Sequence, residues 1–495
     1  MGCLCGVLAW ALLACGSDPC DADEVRAQLA EARPGDVIRV GACRLTGPFS
    51  VPAGVSLIGQ GDASILEARS GAVVELDAGA NTQLRAVRLE SSGRAALAVR
   101  GSGSASIEEV TIAATRGIGI GIQGTTTSLA RVRILGPIRS ENAREPRWLR
   151  VLGAGVPVAS CPDTDCECEP GAEDDASGRL CDAEGRWTTW TATLGIYAAH
   201  AALTLDDVEL GGLAQYGLVA DDSDIEWTRG EVHDVIGVGI LLRGGQASLV
   251  DLSIERVVQG LRGLASYDVI ATDGAALDSV RLHLFNGDRY GLLVLNATGQ
   301  HTDLQVENHG DVGVWIGESE AFSIHGASVV RENRFAGVVV SDSSHVLVEG
   351  AVVEGTRTIR RSMGAFGQIE VGDGIHLTGS YSNIRLVDLE IRGNERVGLL
   401  ADIGDGPADV MFRGVNVEAT ETALGAIAGH RDVARGVLIV GAPAGWDTGI
   451  ERLGAALTND ADASGELDAV VAAAPDAVSD LTSFAWTGDQ MNRAT

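Results

Sequence analysis

An apolar-x-x-apolar-x-apolar pattern returns along most of this chain. It occurs as Leu84-Val87-Leu89, Ile107-Val110-Ile112 and Leu129-Val132-Ile134, and again as Leu205-Val208-Leu210, Leu249-Leu252-Ile254 and Leu277-Val280-Leu282. It continues through Ile324-Ala327-Val329, Val348-Ala351-Val353, Leu386-Leu389-Ile391 and Phe412-Val415-Val417. The steps from 84 to 107 to 129 are 23 and 22 residues. A second motif alternates with the first: a glycine that opens a short stretch of period two. Its glycines are Gly195, Gly217, Gly239, Gly263, Gly291, Gly313, Gly337, Gly374 and Gly398. Most of those steps are 22 or 24 residues, and 28 and 37 are the outliers.

Two period-two stretches per repeat, joined by Gly, Asp and Ser, predict strands without helices. No single repeat can bury its apolar face alone, whereas repeats stacked about 4.8 Å apart share one continuous core. A leucine-rich repeat has a similar first half. Its second half would be helical, but Gly239-Ile-Leu-Leu-Arg243 and Gly337-Val-Val-Val-Ser341 alternate as strands do. The expected fold is therefore all-β: a right-handed parallel β-helix of about a dozen or more coils. The hand follows from the general rule for parallel crossovers.

Asn333 and Asn394 each stand four residues before a repeat glycine, and Asn308 and Asn286 stand five before theirs. This pattern resembles the repeats of the pectate-lyase-like superfamily, the carbohydrate-binding and sugar-hydrolase β-helices. The resemblance implies Asn side chains that hydrogen-bond the turns from coil to coil. The start is similar too. Ala22–Ala32 suits a short capping helix, Pro34–Val40 enters a first strand, and Pro52–Gly59 reads as a second coil. The helix would cover strand edges that otherwise invite aggregation. The superfamily contains lyases, hydrolases, epimerases and adhesins, so the resemblance implies a fold more than an activity.

The chain reads as five segments: a signal peptide at 1–14, a lipidated tether at 15–20, a capping helix and first strand at 21–47, the β-helix at 48–441 and an acidic cap or tail at 442–495. Leu4–Ala14 is too short an apolar run to span a bilayer. It ends in Leu12-Leu13-Ala14-Cys15, which resembles a bacterial lipobox and implies a lipid on Cys15 and an outer-membrane or cell-surface address. A plain secretory signal, leading to the periplasm or medium, is the alternative, and no Arg or Lys precedes Cys15. Six cysteines lie beyond the lipobox. Cys20 and Cys43 would brace the first turn, and Cys161, Cys166, Cys168 and Cys181 share one inserted loop. An even number in an exported chain reads as disulfides.

Charge removes several functions. The 495 residues carry 37 basic and 68 acidic side chains, a net −31. Duplex nucleic acid needs a basic face, and anionic headgroups repel such a chain, which leaves a lipid anchor as its route to a membrane. Every basic residue is Arg, so lysine Schiff-base chemistry is excluded.

Insertions at 137–193 and 356–371 interrupt the repeat. The first contains the four clustered cysteines, Trp148, Trp187 and Trp190. It also holds Asp163, Asp165, Glu167 and Glu169 at alternate positions, a spacing that suits Ca²⁺ only weakly. A solvated, disulfide-stapled loop is the simpler reading, and zinc on Cys166 and Cys168 is a third. The second insertion carries Arg357, Arg360 and Arg361, whose forked guanidiniums suit carboxylates and sulfates. They can equally pair with nearby acids.

The outward position two residues after each repeat glycine gives Tyr197, Val219, Leu241, Ala265, Leu293, Trp315, Val339, His376 and Leu400. A mostly apolar stripe implies a face covered by the first insertion or the tail, or else a sugar-stacking surface. Trp315, His376, Arg357, Arg360 and Arg361 are the candidate ligand-binding residues. Asp221-Asp222 lacks the partner motifs of the polygalacturonase-like enzymes and reads as a turn. The expected function is a monomeric, surface-anchored scaffold that binds a polysaccharide or an envelope protein without catalysis or cofactor. A polysaccharide lyase, glycoside hydrolase or epimerase is the alternative, and a structural envelope protein the second.

Overall fold

A computed structural model describes residues 19–136 and 193–417 apart from 94, 115–116, 260–265, 363–367, 403–407 and 414, together with short strands at 173–174, 179–181, 187–189 and 437–440. It is a right-handed-type parallel β-solenoid of about 13 turns with one helix near its start.

Each coil contributes one strand to a first sheet of 14 parallel strands, which runs from Phe49–Val51 to Val437–Val440. The rest of each coil forms a second sheet of 23 strands, bent at a corner. The repeat motif explains that corner. Leu84, Val87 and Leu89 all point into the core. Ala86, just before Val87, has a φ of 52°. A left-handed residue at this third position of the motif turns the chain while both flanks stay inward. The same corner recurs at Glu109, Arg131, Asp207, Arg229, Asp251, Arg281 and Asp303, all with φ of 53–57°. At Arg281 the inward residues around it are Ser279, Leu282 and Leu284, so the triplet Leu277-Val280-Leu282 is out of register with the coils. From Glu109 onward the charges alternate in sign from coil to coil. Arg131 bonds Glu109 at 3.0 Å and Arg281 holds Asp251 at 2.5 and 2.9 Å.

The repeat glycines answer a different need. A Cβ on Gly217 would sit 2.4 Å from the carbonyl oxygen of Gly239 in the next coil, a contact no side chain can make. The expected glycine ladder fails at one place. Val238 pairs with Tyr267 and Ile240 with Val269, so Asp268, not Gly263, stands at the glycine position, and Ile270, not Ala265, occupies the stripe. The strand is displaced because the coil from Gly239 to Asp268 is lengthened, which a glycine spacing alone does not reveal.

The Asn side chains make the expected coil-to-coil bonds. Asn333 Oδ1 accepts the His309 N–H at 3.0 Å, Asn394 Oδ1 accepts the Thr356 N–H at 3.0 Å, and Asn308 donates to Asn286 at 2.8 Å. At the start, the helix Ala22–Glu31 is capped by Asp21, which accepts the Asp23 N–H, and it buries Val25 and Leu29 in the core. Cys20 and Cys43 are joined in a disulfide, with Cα atoms 5.8 Å apart.

Candidate functional site

The outer face of the first sheet carries a second apolar cluster, separate from the solenoid core. It contains Tyr290, Leu293, Val312, Trp315, Phe335, Ala336 and Val339, with Tyr267, Ile270 and Ile359 packed against it. Parallel register builds it. Tyr290 pairs with Tyr267 one rung away, and their rings stack with centroids 4.8 Å apart. Trp315, one coil further on, meets Tyr290 at 6.0 Å and donates its indole N–H to Ser341 Oγ at 3.0 Å.

Charged side chains border this cluster, and they are matched. Arg289 lies 5.1 Å over the Tyr290 ring and donates to Asp311 at 2.9 Å. Arg396 holds the fully buried Asp373 from the next coil. Nearer the start, Arg243 grips Asp221 at 2.6 and 2.9 Å, and the Tyr197 hydroxyl donates to the same carboxylate at 3.0 Å. His376 Nδ1 lies 3.6 Å from Asp373, and burial pushes its imidazole down to about 4. Burial likewise raises the Tyr267 phenol above its usual range. The neutral imidazole, the raised Tyr267 phenol and the paired ions belong to a largely buried cluster: Tyr290 and Trp315 are buried, and Tyr267 and Ile270 are its partly exposed members.

The sequence candidates fall in different places. Trp315 and His376 share this face, two coils apart, but Trp315 is only 6% exposed and lies in the cluster rather than open to solvent. The second insertion forms an antiparallel hairpin, Ile359–Ser362 against Gln368–Val371, in which Arg360 stands opposite Glu370 and Arg361 opposite Ile369. The Arg360 and Arg361 side chains lie outside the described residues. Arg357 is exposed and bonds Glu332 at 2.6 Å, so it follows the reading in which these Arg pair with acids. Thr358, at the hairpin's foot, bonds Glu395 through N–H and hydroxyl at 2.6 and 2.7 Å. Ile359 brings the hairpin onto the aromatic cluster, so the described cover comes from the second insertion. The cover expected from 137–193 or from the tail lies outside the described residues, as do Cys15, Cys161, Cys166, Cys168, Asp163, Asp165, Glu167 and Glu169. Cys181 ends a short strand, Arg179–Cys181, and its side chain is likewise undescribed. Among the described residues, no group of three or more His, Cys, Asp or Glu is placed to hold a metal ion.

Sequence reasoning missed Tyr267, Tyr290, Arg289, Asp311, Asp373 and Arg396. The available signal was spacing: Tyr267 and Tyr290 are one coil apart, as are Arg289 and Asp311, at 22 residues.

The chain matches no family model and no curated protein. Among solved structures it is similar to the A-module of a mannuronan C-5 epimerase from Azotobacter vinelandii (14% identity, TM-score 0.37, covering 80% of this chain and 97% of that one). It is also similar to tailspike protein 3 of bacteriophage CBA120 (9% identity, TM-score 0.42, 85% and 57% covered) and to a periplasmic alginate epimerase (10% identity, TM-score 0.29, 80% and 81% covered). At such identities the likeness concerns the fold alone, and no residue role is carried across.

Proposed function

We propose that this protein is an exported, envelope-anchored β-helical scaffold that recognises a glycan or a protein partner without catalysis. The observation that supports binding over chemistry is the pairing of the charged groups on the first sheet. Arg289 with Asp311, Arg396 with Asp373, and Arg243 with Asp221 neutralise one another. General acid–base catalysis needs groups free to exchange protons with a substrate. A binding face needs aromatic rings and oriented polar groups, and Tyr267, partly exposed and stacked on the buried Tyr290, supplies a ring. Ile359 of the strand that also carries Arg360 and Arg361 packs against that cluster, and guanidiniums suit an anionic polymer.

Export is supported by the Cys20–Cys43 disulfide, which belongs to an oxidising compartment. Cys15 is the proposed lipid attachment point: Cys15→Ala is expected to release the protein from the membrane fraction. The function is tested by a glycan array probed with the mature protein, followed by turnover assays on every hit. Selective binding with no change in the bound glycan is expected. Cleavage, elimination or epimerisation of a bound polymer would replace this reading with an enzymatic one.

A further inference from the structure

The column occupied by Gly217, Gly239, Gly291, Gly313, Gly337, Gly374 and Gly398 is interrupted by Asp268, whose carboxyl is fully buried. Two later residues answer that departure. Gly287 has no side chain, and a Cβ there would fall 2.6 Å from His309 and 2.9 Å from Asp268 Oδ1. Past that gap His309, itself fully buried, places Nε2 at 2.8 Å from Asp268 Oδ2 across 41 residues of sequence. On its other side, Nδ1 lies 3.1 Å from Asn333 Oδ1.

The proton positions follow from the bonding. Asn333 donates its Nδ2 to the Val306 carbonyl at 3.4 Å, and its Oδ1 accepts the His309 backbone N–H. That oxygen is therefore an acceptor toward Nδ1 as well, and Nδ1 carries a hydrogen. Nε2 and Asp268 Oδ2, at 2.8 Å, then need one proton between them. It is held either by an imidazolium facing a carboxylate or by a carboxylic acid facing a neutral imidazole. Without it, two lone pairs oppose each other in a fully buried site.

We propose that Asp268, His309 and Asn333 form a proton-held latch that ties successive coils together behind the Tyr267–Tyr290 pair, closed while the bridging proton is bound and open once it is lost. The surrounding ionisable groups are Asp288, beside Gly287, whose charge favours keeping the proton; His283, which interacts with His309; the Arg289–Asp311 pair; and the two tyrosines. Burial, against the pull of His309, raises the Asp268 carboxyl from 3.8 to about 6. A raised folded-state value gives a contribution that is complete below the ordinary carboxylate range and is lost as pH rises through about 6. The latch belongs to the solenoid and does not depend on which partner the face binds.

The test is Asp268→Asn. Its amide N–H donates to Nε2 with no proton to lose. Thermal unfolding of wild type and variant is followed between about pH 5 and 8, where the difference between the two proteins cancels every other titration. The expected difference moves in the variant's favour as pH rises, by roughly ten-fold in the folding constant across this range, because most of the remaining change for a carboxyl raised from 3.8 to about 6 falls below about pH 5. A difference that stays flat with pH overturns the latch. Should Asp268→Asn not fold, the pair Asp268→Gly with His309→Asn restores the residues of neighbouring coils and gives the same comparison. Imidazole NMR of the wild type is the independent readout: Nδ1 of His309 stays protonated while the Nε2 signal shifts with pH, and an Nε2 signal that never changes also overturns the proposal.

Discussion

Arg396 bonds Asp373 through both Nε, at 2.6 Å, and Nη2, from one coil to the next, and both side chains are buried. Asp373 shares its column with Ala336 and Val397, so the solenoid has placed an ion pair where its neighbours are apolar. Such a pair is costly to break from one side only. Arg396→Ala leaves a buried carboxylate without its counter-ion and is expected to cost about 3–5 kcal/mol in chemical denaturation. Replacing both partners, as Asp373→Val with Arg396→Leu, is expected to cost much less than Arg396→Ala alone. Equal losses would mean that the ion pair is not what stabilises this position.

The left-handed corner makes a separate prediction at Ala86, with a φ of 52°. A left-handed backbone costs an L-residue roughly 1–2 kcal/mol, and glycine avoids it at some expense in unfolded-state entropy. Ala86→Gly should therefore be neutral to stabilising by about 1 kcal/mol, whereas Ala86→Val should destabilise. Urea unfolding of the two variants measures the contrast.

Cys20 and Cys43 are 23 residues apart in sequence and close the entry to the solenoid. Chain-entropy arguments give a loop of that size about 3 kcal/mol. Cys43→Ser is expected to lower stability by about that amount and to fray the helix Ala22–Glu31 first, seen as faster amide exchange at Val25 and Leu29. Mass spectrometry of the non-reduced protein should recover the linked peptides from the wild type.

The fold is readable in the sequence because stacking forces every coil to repeat its inward residues, and most of the apolar triplets record that. Leu277-Val280-Leu282 and Ile324-Ala327-Val329 do not, because a buried Ser279 or Ser328 takes an inward place in those coils. The corners are less readable. The left-handed position takes Ala, Glu, Arg or Asp as well as Gly, so no residue type marks it; only its place just before the second apolar residue does. The site is legible in fragments. Trp315 and His376 follow from counting along the glycines, but the count slips at Asp268, where the column abandons glycine. The aromatic stack and the ion pairs are cross-coil relationships. They become visible only once register is known, because partners such as Arg396 and Asp373 are set by rung and not by motif.

His301 predicts a pH dependence opposite in sign to that of Asp268. It is fully buried, 2.7 Å from Ser279 Oγ and 4.9 Å from the Phe322 ring, and burial pushes its imidazole down to about 3. The unfolded chain takes up this proton near the ordinary value of 6.5, while the folded chain does not. The stability it allows is present above 6.5 and is lost as pH falls toward 3. His301 stands in an inner column with Leu249, Ser279 and Ile324. The double change Ser279→Ala with His301→Leu makes that column apolar and should remove part of the acid destabilisation. Unfolding midpoints of wild type and variant are compared from neutral pH downward, and an unchanged gap between them would mean that His301 is not a source of it.

Partner recognition yields the last prediction. An anionic glycan must approach a chain of net charge −31, so long-range attraction works against encounter and only a local basic patch can favour it. Arg357 is engaged with Glu332, which makes Arg360 and Arg361 of the same insertion the residues to substitute. A charge-assisted contact shielded from water is worth about 1.5–3 kcal/mol, and far less when exposed. Arg360→Ala with Arg361→Ala should therefore weaken binding of a uronic-acid polymer about ten-fold or more and flatten its salt dependence, measured by calorimetry at two ionic strengths. Arg357→Ala should change affinity much less, because it first releases Glu332. If the double variant keeps both its fold and its affinity, recognition does not use this patch, and Trp187 and Trp190 in the first insertion become the residues to substitute next.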